Sequence, residues 1–255
     1  MPQTNLLDQF LFKRDCANES IFSNFFFLYN AENLKMITNN MIDHSLSTKH
    51  YLVLSLLLIA IIIASIDPLE YASYGLHQIG TAIMLVFLFY CLKKVGLSFG
   101  SFALYIGFLL IHVLGAHYLY SYVPYNEWIL NTFHFDLNQI MGWSRNMYDR
   151  LVHFAYGLLL YPFFLRLFQV WLPQLSAKIL FILVVQFVMA TSLVYEWIEW
   201  LIAIGLSPEE AENYNGQQGD IWDAHKDMWI ATIGSILSGF ILLFKVAEKP
   251  NEKKT

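Results

Sequence analysis

LSFGSFALYIGFLLIHVLGAH, residues 97–117, is the stretch that decides the fold of this 255-residue chain. It holds no Asp, Glu, Lys or Arg, and the charge-free run continues to Asn126. At ~1.5 Å per helical residue it reaches ~30 Å, the thickness of a bilayer's hydrocarbon core. Working outward, similar uncharged runs lie at Tyr51–Ile66, Leu76–Leu92, Leu151–Leu172, Ile179–Tyr195 and Met228–Phe244, the fourth span (Leu151–Leu172) being broken only by Arg166 near its end. An arginine there can lift its head group to the interface while its stem stays buried. The whole chain is 57% apolar and only 14% charged, against about 25% charged for an ordinary water-soluble domain. A water-facing shell cannot be built from it. The expected fold is all-α: a polytopic bundle of six transmembrane helices, since helices satisfy their own backbone in lipid and no ten-residue barrel alternation is present.

Basic residues set the orientation. Twelve of the fifteen fall before the first span, in the second-to-third and fourth-to-fifth connections, or after the sixth span; only Arg145, Arg150 and Lys226 fall on the opposite side. Both termini are therefore expected in the cytoplasm of a cell with an inner membrane. Thirteen of the twenty acids lie on the outer side, so the net charge of −5 divides into −10 outside and +5 inside. The expected organisation is a polar, weakly ordered extension over residues 1–49, a membrane domain over 50–246 and a basic tail over 247–255. Met36 and Met41 precede the first apolar run, which suggests a native start there; an intact peptide upstream of Met36 would overturn that. The sequon Asn18-Glu19-Ser20 should stay unmodified on the cytoplasmic side. Cys16 and Cys91 also fall on that reducing side, with no CxxC pair. No groove for nucleic acid is evident.

The ionisable residues near the spans share one depth, the outer boundary. Asp149 and His153 are i,i+4 on one helix face, where a carboxylate can hold the imidazole in a fixed tautomer. Glu196 and Glu199 are i,i+3, and two such carboxylates repel unless a proton or cation lies between them. Asp220, Asp223 and Asp227 share a face if the sixth helix begins at Asp220, although Asp220 with Asp223 also reads as an N-cap. His112 and His117 are five apart, so only one of them can face a common site. His112 alone reads as a satisfied core histidine, and Arg150 as an interface marker. Six of the seven tryptophans are outer, the pattern of an aromatic belt or of a cavity wall.

Four blocks carry a resemblance: GAHYLYSYVPYNEW (residues 115–128), MGWSRNMYDRLVHFAYGLLLYP (141–162), YEWIEW (195–200) and GQQGDIWDAHKDMWIATIG (216–234). Together they are similar to the YjdF family of bacterial inner-membrane proteins over about residues 50–245. The resemblance implies an inner-membrane location but no reaction. It also implies glutamine where His225 stands, which weighs against His225 as a ligand. In layout the chain also resembles VanZ-like membrane proteins, which points toward an envelope substrate.

Three functions are consistent with these residues. In the first, an outer-leaflet site on a lipid or lipid-linked headgroup uses Asp149, His153, Glu196 and Glu199 as acid–base groups, with His117, Tyr118, Tyr120, Trp200 and Trp222 contacting substrate. Glu196, Glu199, Asp223 and Asp227 would hold a divalent cation, for which oxygen ligands suit Mg²⁺, Mn²⁺ or Ca²⁺. In the second, the acids serve a cation- or proton-coupled transporter. In the third, the polar layer only locks helix ends in a scaffold.

Overall fold

The computed structural model describes residues 42–207, 211 and 214–247. Cys16, the sequon, Met36, Met41, Glu209, Glu210, Glu212 and residues 248–255 lie outside the described residues. The elements are strand β1 (Ile42–Asp43), helices α1 (Thr48–Ala64) and α2 (Tyr71–Lys94), strand β2 (Leu97–Ser98), and helices α3 (Phe99–His117), α4 (Tyr125–Phe133), α5 (Leu137–Met141), α6 (Tyr148–Trp171), α7 (Ala177–Ile204) and α8 (Asp223–Ala247).

Each uncharged run is the middle of a helix. Polar residues cap the ends: Glu70 accepts from the Ala72 and Ser73 N–H groups, Ser98 from Ser101 N–H and Ser176 from Ile179 N–H, which supplies acceptors to donors that a helix start leaves free. Helices α2, α3, α6, α7 and α8 are long and apolar enough to cross a membrane, whereas α1, with 17 residues, is a shorter apolar helix. Leu52, Leu56, Ile59 and Ile63 of α1 are exposed. Burying such side chains is worth ~25 cal/mol per Å² of apolar area, so a lipid solvent explains their exposure where water would not.

The last eight residues of the expected extension are part of the fold. Ile42–Asp43 pairs antiparallel with Leu97–Ser98, and Asp43 bonds Lys49 at 2.9 Å. The small sheet is the exception to an otherwise helical chain, and a two-residue strand carries no periodicity by which sequence could reveal it. At the same end, Arg166 Nε and a terminal nitrogen donate to the Gly96 and Val95 carbonyls, each at 3.1 Å. The arginine thus finds its partners in the carbonyls just past α2.

Helix α6 is central, packed between α3 and the α7–α8 pair. Its approach to α8 is the closest in the bundle. A Cβ on Gly157 would stand 1.9 Å from the Ala231 carbonyl oxygen, and one on Gly234 would stand 2.3 Å from that of Phe154. Small residues there let the two backbones touch. One helical turn from Gly157 and Ala231, toward the end away from the β1–β2 pair, are His153 and Asp227, so this crossing sets which polar side chains meet.

Candidate functional site

The ends of α6, α7 and α8 away from the β1–β2 pair carry a buried polar layer. Asp149, Arg150 and His153 open α6, Glu196 and Glu199 close α7, and Asp223 and Asp227 open α8. Asp149, Arg150, His153, Glu199, Asp223 and Asp227 are all buried, and the Glu196 side chain is only 10% exposed.

Two arginines divide the acids. Arg150 reaches Asp223 Oδ1 at 2.5 Å, Asp227 Oδ1 at 2.6 Å and Asp220 Oδ2 at 3.1 Å, and donates to the Asp223 carbonyl at 2.9 Å. Arg145 reaches Asp223 Oδ1 at 2.5 Å and donates to the Gln217 and Gly216 carbonyls. Lys226 bonds Asp220 at 2.6 Å. That hydrogen bond, followed by one from the Trp222 N–H, holds the Asp220 carboxyl below its ordinary range. Asp220 therefore turns the chain into α8 and also anchors the charge cluster, while Asp223 pairs with arginine instead of completing a capping box. Three acids meet three bases here. Among the described residues, Asp149, Glu196 and Glu199 have no Lys or Arg salt bridge.

His153 lies beside two of these three. Its Nε2 is 3.7 Å from Asp149 Oδ1 and 3.9 Å from Glu196 Oε1, and its ring meets Tyr195 edge-on at 5.7 Å. The i,i+4 spacing does bring Asp149 to His153. Asp149, His153 and Asp227 each offer a ligand atom within 4.8 Å of the others. Asp227 of that set is already engaged by Arg150 at 2.6 Å, so a cation there would have to share it with the guanidinium. Glu196, Glu199, Asp223 and Asp227, grouped as cation ligands by sequence, are instead split, because the two aspartates are held by Arg145 and Arg150.

The remaining sequence candidates fall into two groups. His117 Nδ1 donates to the Ala64 carbonyl at 2.9 Å and its ring abuts Tyr118, which in turn meets Trp128; both side chains tie α1, α3 and α4 together. Tyr120 turns inward. Leu119 and Tyr120 both adopt left-handed backbone, with φ of 50° and 55°, a conformation rare for non-glycine residues. The turn folds the Tyr120 ring over Gly115, where a Cβ would sit 2.7 Å from it. Since the His77 carbonyl can only accept, His112 Nε2 carries the proton at 3.2 Å from it, and His112 Nδ1 accepts from the Tyr120 hydroxyl at 2.6 Å. Burial, then the nearby Asp149 and Glu199 carboxylates, holds the Tyr120 hydroxyl well above the usual phenol range. Tyr214, stacked on His77 at 5.0 Å, is pushed up to about 12 by burial and by Glu199. Both phenols stay protonated donors near neutral pH.

A cavity of about 330 Å³ opens in front of this layer, walled by α7, the start of α8 and the segment around Asn215. Glu196, Glu199, Trp197 and Trp200 contribute to it, as does Asp223. Trp222 does not line it and is exposed beside His225 at 5.3 Å. Gln218 exchanges hydrogen bonds with the Asn146 backbone at 2.9 and 3.1 Å, which pins this rim to the start of α6. Sequence reasoning missed Arg145, Arg150, Tyr195 and Tyr214. The available signal was that two of the only three basic residues on the acidic side stand five apart before one helix.

The match to known proteins follows the same residues. Residues 49–248 fit a family model described as "Predicted membrane protein (DUF2238)". Inner membrane protein YjdF of Escherichia coli (strain K12) is 31% identical over 133 residues, which are 52% of this chain and 59% of that relative's length. No solved structure matches. With the family model running from the start of α1 to just past the end of α8, the chain belongs to the DUF2238 family of membrane proteins, to which its resemblance to YjdF had pointed.

Proposed function

We propose that the chain crosses the inner membrane six times with both termini in the cytoplasm, and that its outer polar layer acts on an envelope lipid or lipid-linked headgroup. The relative's description as an inner membrane protein supports the location. Support for a sixth span comes from the connections of α1. It starts beside the β1–β2 pair, where α3 also starts, and ends where the Ala64 carbonyl meets His117, the last residue of α3. Helix α1 therefore covers the same thickness as α3. The basic residues gather at the β1–β2 end, with Lys93, Lys94 and Arg166, which supports placing that end inside.

The observation that carries the chemical reading is the group of carboxylates left without basic partners. Asp149 and Glu196 stand beside His153, Glu199 lies one turn from Glu196 on the cavity wall, and none of the three has a Lys or Arg salt bridge among the described residues. Ionisable groups near a membrane are expensive and usually face a bundle interior or a site of function. In the proposed site, His153 and Glu196 share a proton at Nε2, and Asp149, beside the same nitrogen, stabilises the imidazolium form. Glu196, on the cavity wall, serves as the second acid–base group and relays that proton to or from the headgroup, with Glu199 on the same wall. The present distances of 3.7 and 3.9 Å exceed the ~2.6–3.2 Å of a working hydrogen bond and are expected to tighten on substrate binding.

The test is comparative lipidomics of a deletion strain complemented by wild type, Glu196→Gln or His153→Ala. Wild type is expected to restore the lipid profile and both variants to fail despite normal membrane levels. An unaltered lipid profile in the deletion strain, or full complementation by both variants, would leave the layer a scaffold.

A further inference from the structure

We infer that the cavity between α7, α8 and the Asn215 segment binds a primary ammonium group, presented by a lipid headgroup or by a free amine. The inference rests on the headgroup reading and names the chemistry that the pocket recognises.

Among the described residues, the two buried side-chain atoms on this wall that lack a hydrogen-bond partner are both acceptors. Glu196 Oε1 is buried without a hydrogen-bond partner, on a side chain nine-tenths buried, and the Asn215 side-chain oxygen is likewise buried and unpartnered. Both residues line the cavity. A buried acceptor without a donor forfeits its hydrogen bond to water, so the wall is completed by a ligand that brings N–H groups. The surplus of charge says the same: Glu196 and Glu199 lie on this wall without a Lys or Arg salt bridge among the described residues, so a donor that also carries positive charge is favoured over a neutral one.

The rest of the wall selects the form of the cation. Trp197 and Trp200 flank the carboxylates and are exposed on the outer part of α7, where indole faces attract ammonium and also tolerate an acyl chain or glycerol backbone. Asp149, His153 and Asp227, the set with spacing for a metal ion, do not line this cavity. Glu196 joins the two regions, with its Oε1 3.9 Å from His153 Nε2. An ammonium held at Glu196 would therefore set the remainder of the headgroup next to the histidine. A quaternary ammonium has the charge but no N–H to give to Glu196 or Asn215, so the cavity discriminates ethanolamine from choline.

The experiment uses the full chain purified in detergent, titrated by tryptophan fluorescence with dihexanoyl phosphatidylethanolamine, phosphatidylcholine and phosphatidylglycerol, and with free ethanolamine. Phosphatidylethanolamine is expected to bind at least tenfold more tightly than the other two lipids. Glu196→Gln and Asn215→Ala are each expected to weaken it about tenfold while leaving phosphatidylglycerol binding unchanged. Asn215 lies outside the spanning helices, so its variant guards against misfolding of a spanning helix. Ethanolamine binding as tightly as the lipid would make a soluble amine the source and keep the ammonium assignment. Choline or glycerol headgroups binding equally well, or both variants binding like wild type, would overturn it. A lost preference for ethanolamine leaves the lipidomic test untouched, and an unaltered lipidome beside intact binding removes the acid–base reading alone.

Discussion

Replacing Arg150 by methionine tests the account of the polar layer most directly. Arg150 is 5% exposed and its guanidinium contacts Asp220, Asp223 and Asp227 at 3.1, 2.5 and 2.6 Å. Methionine fills much of the space but supplies no charge. Arg145 still covers Asp223, and Lys226 still covers Asp220, so the carboxylate stranded is that of Asp227. Removing one partner from a buried ion pair costs about 3–5 kcal/mol, and the retained arginine and lysine place the expectation at about 3 kcal/mol. The assay is reversible unfolding in mixed micelles with increasing sodium dodecyl sulfate. In the double variant Arg150→Met with Asp227→Asn, the stranded charge is gone, so about 1–2 kcal/mol of the loss should return as coupling between contacting residues. Arg150→Lys should fall between, since one ammonium cannot reproduce the fork. Wild-type stability for Arg150→Met, or a double variant no better than the single one, would refute the division of acids into paired and unpaired sets.

Gly157→Ala should destabilise the bundle by at least the 1–3 kcal/mol typical of overpacking, because the new methyl meets the Ala231 carbonyl; Gly75→Ala, which meets nothing within 4 Å, should be neutral or stabilising, and equal behaviour in the same unfolding assay would refute the close crossing. Glu70→Ala should cost about 1 kcal/mol as a lost N-cap. Hydrogen bonds from Ser73, then from Ala72, hold the Glu70 carboxyl below its ordinary 4.5, so its contribution is complete above that value and should fade as pH falls through the lower folded value; a difference that persists unchanged in stronger acid would contradict the cap. Alkaline phosphatase fused after Glu210 should be active and after Val95 inactive, and the opposite pattern would invert the topology. With Arg150 already on Asp227, the melting temperature is expected to be indifferent to Ca²⁺ and chelator, and a Ca²⁺-dependent rise that Asp149→Asn abolishes would instead assign a cation to the Asp149–His153–Asp227 set.

The fold was largely legible because bilayer thickness imposes a length that sequence shows directly. All six uncharged runs are largely helical, and the acids and histidines of Asp149–His153, Glu196–Glu199 and Asp220–Asp227 do gather at one end of the bundle. The finer pairing was not legible, for reasons visible in single residues. Spacing placed Asp149 beside His153, since both belong to one helix. Spacing said nothing of Arg150, one position from Asp149 and turned instead toward α8. His117 stood at the right depth but points to Ala64, while Tyr120, three residues on, turns back into the bundle through two left-handed residues that no pattern announces. Asp223 and Asp227 were grouped with Glu196 and Glu199 by depth and charge, yet arginines from another helix and a connecting segment had already engaged the aspartates.

Sequence alone determined that this is a membrane protein, where its helices run, and that its basic and acidic groups sort to opposite ends of them, because hydrophobic length and charge distribution act along one dimension. Tertiary structure decided which charges cancel and which remain. That depends on the rotation and approach of α6 and α8, set by Gly157 and Gly234 where backbones touch, and the resulting distances between side chains far apart in the chain are invisible to a one-dimensional pattern. Three carboxylates without a Lys or Arg salt bridge among the described residues, two of them beside one histidine and two of them on a cavity wall, are the product of that crossing.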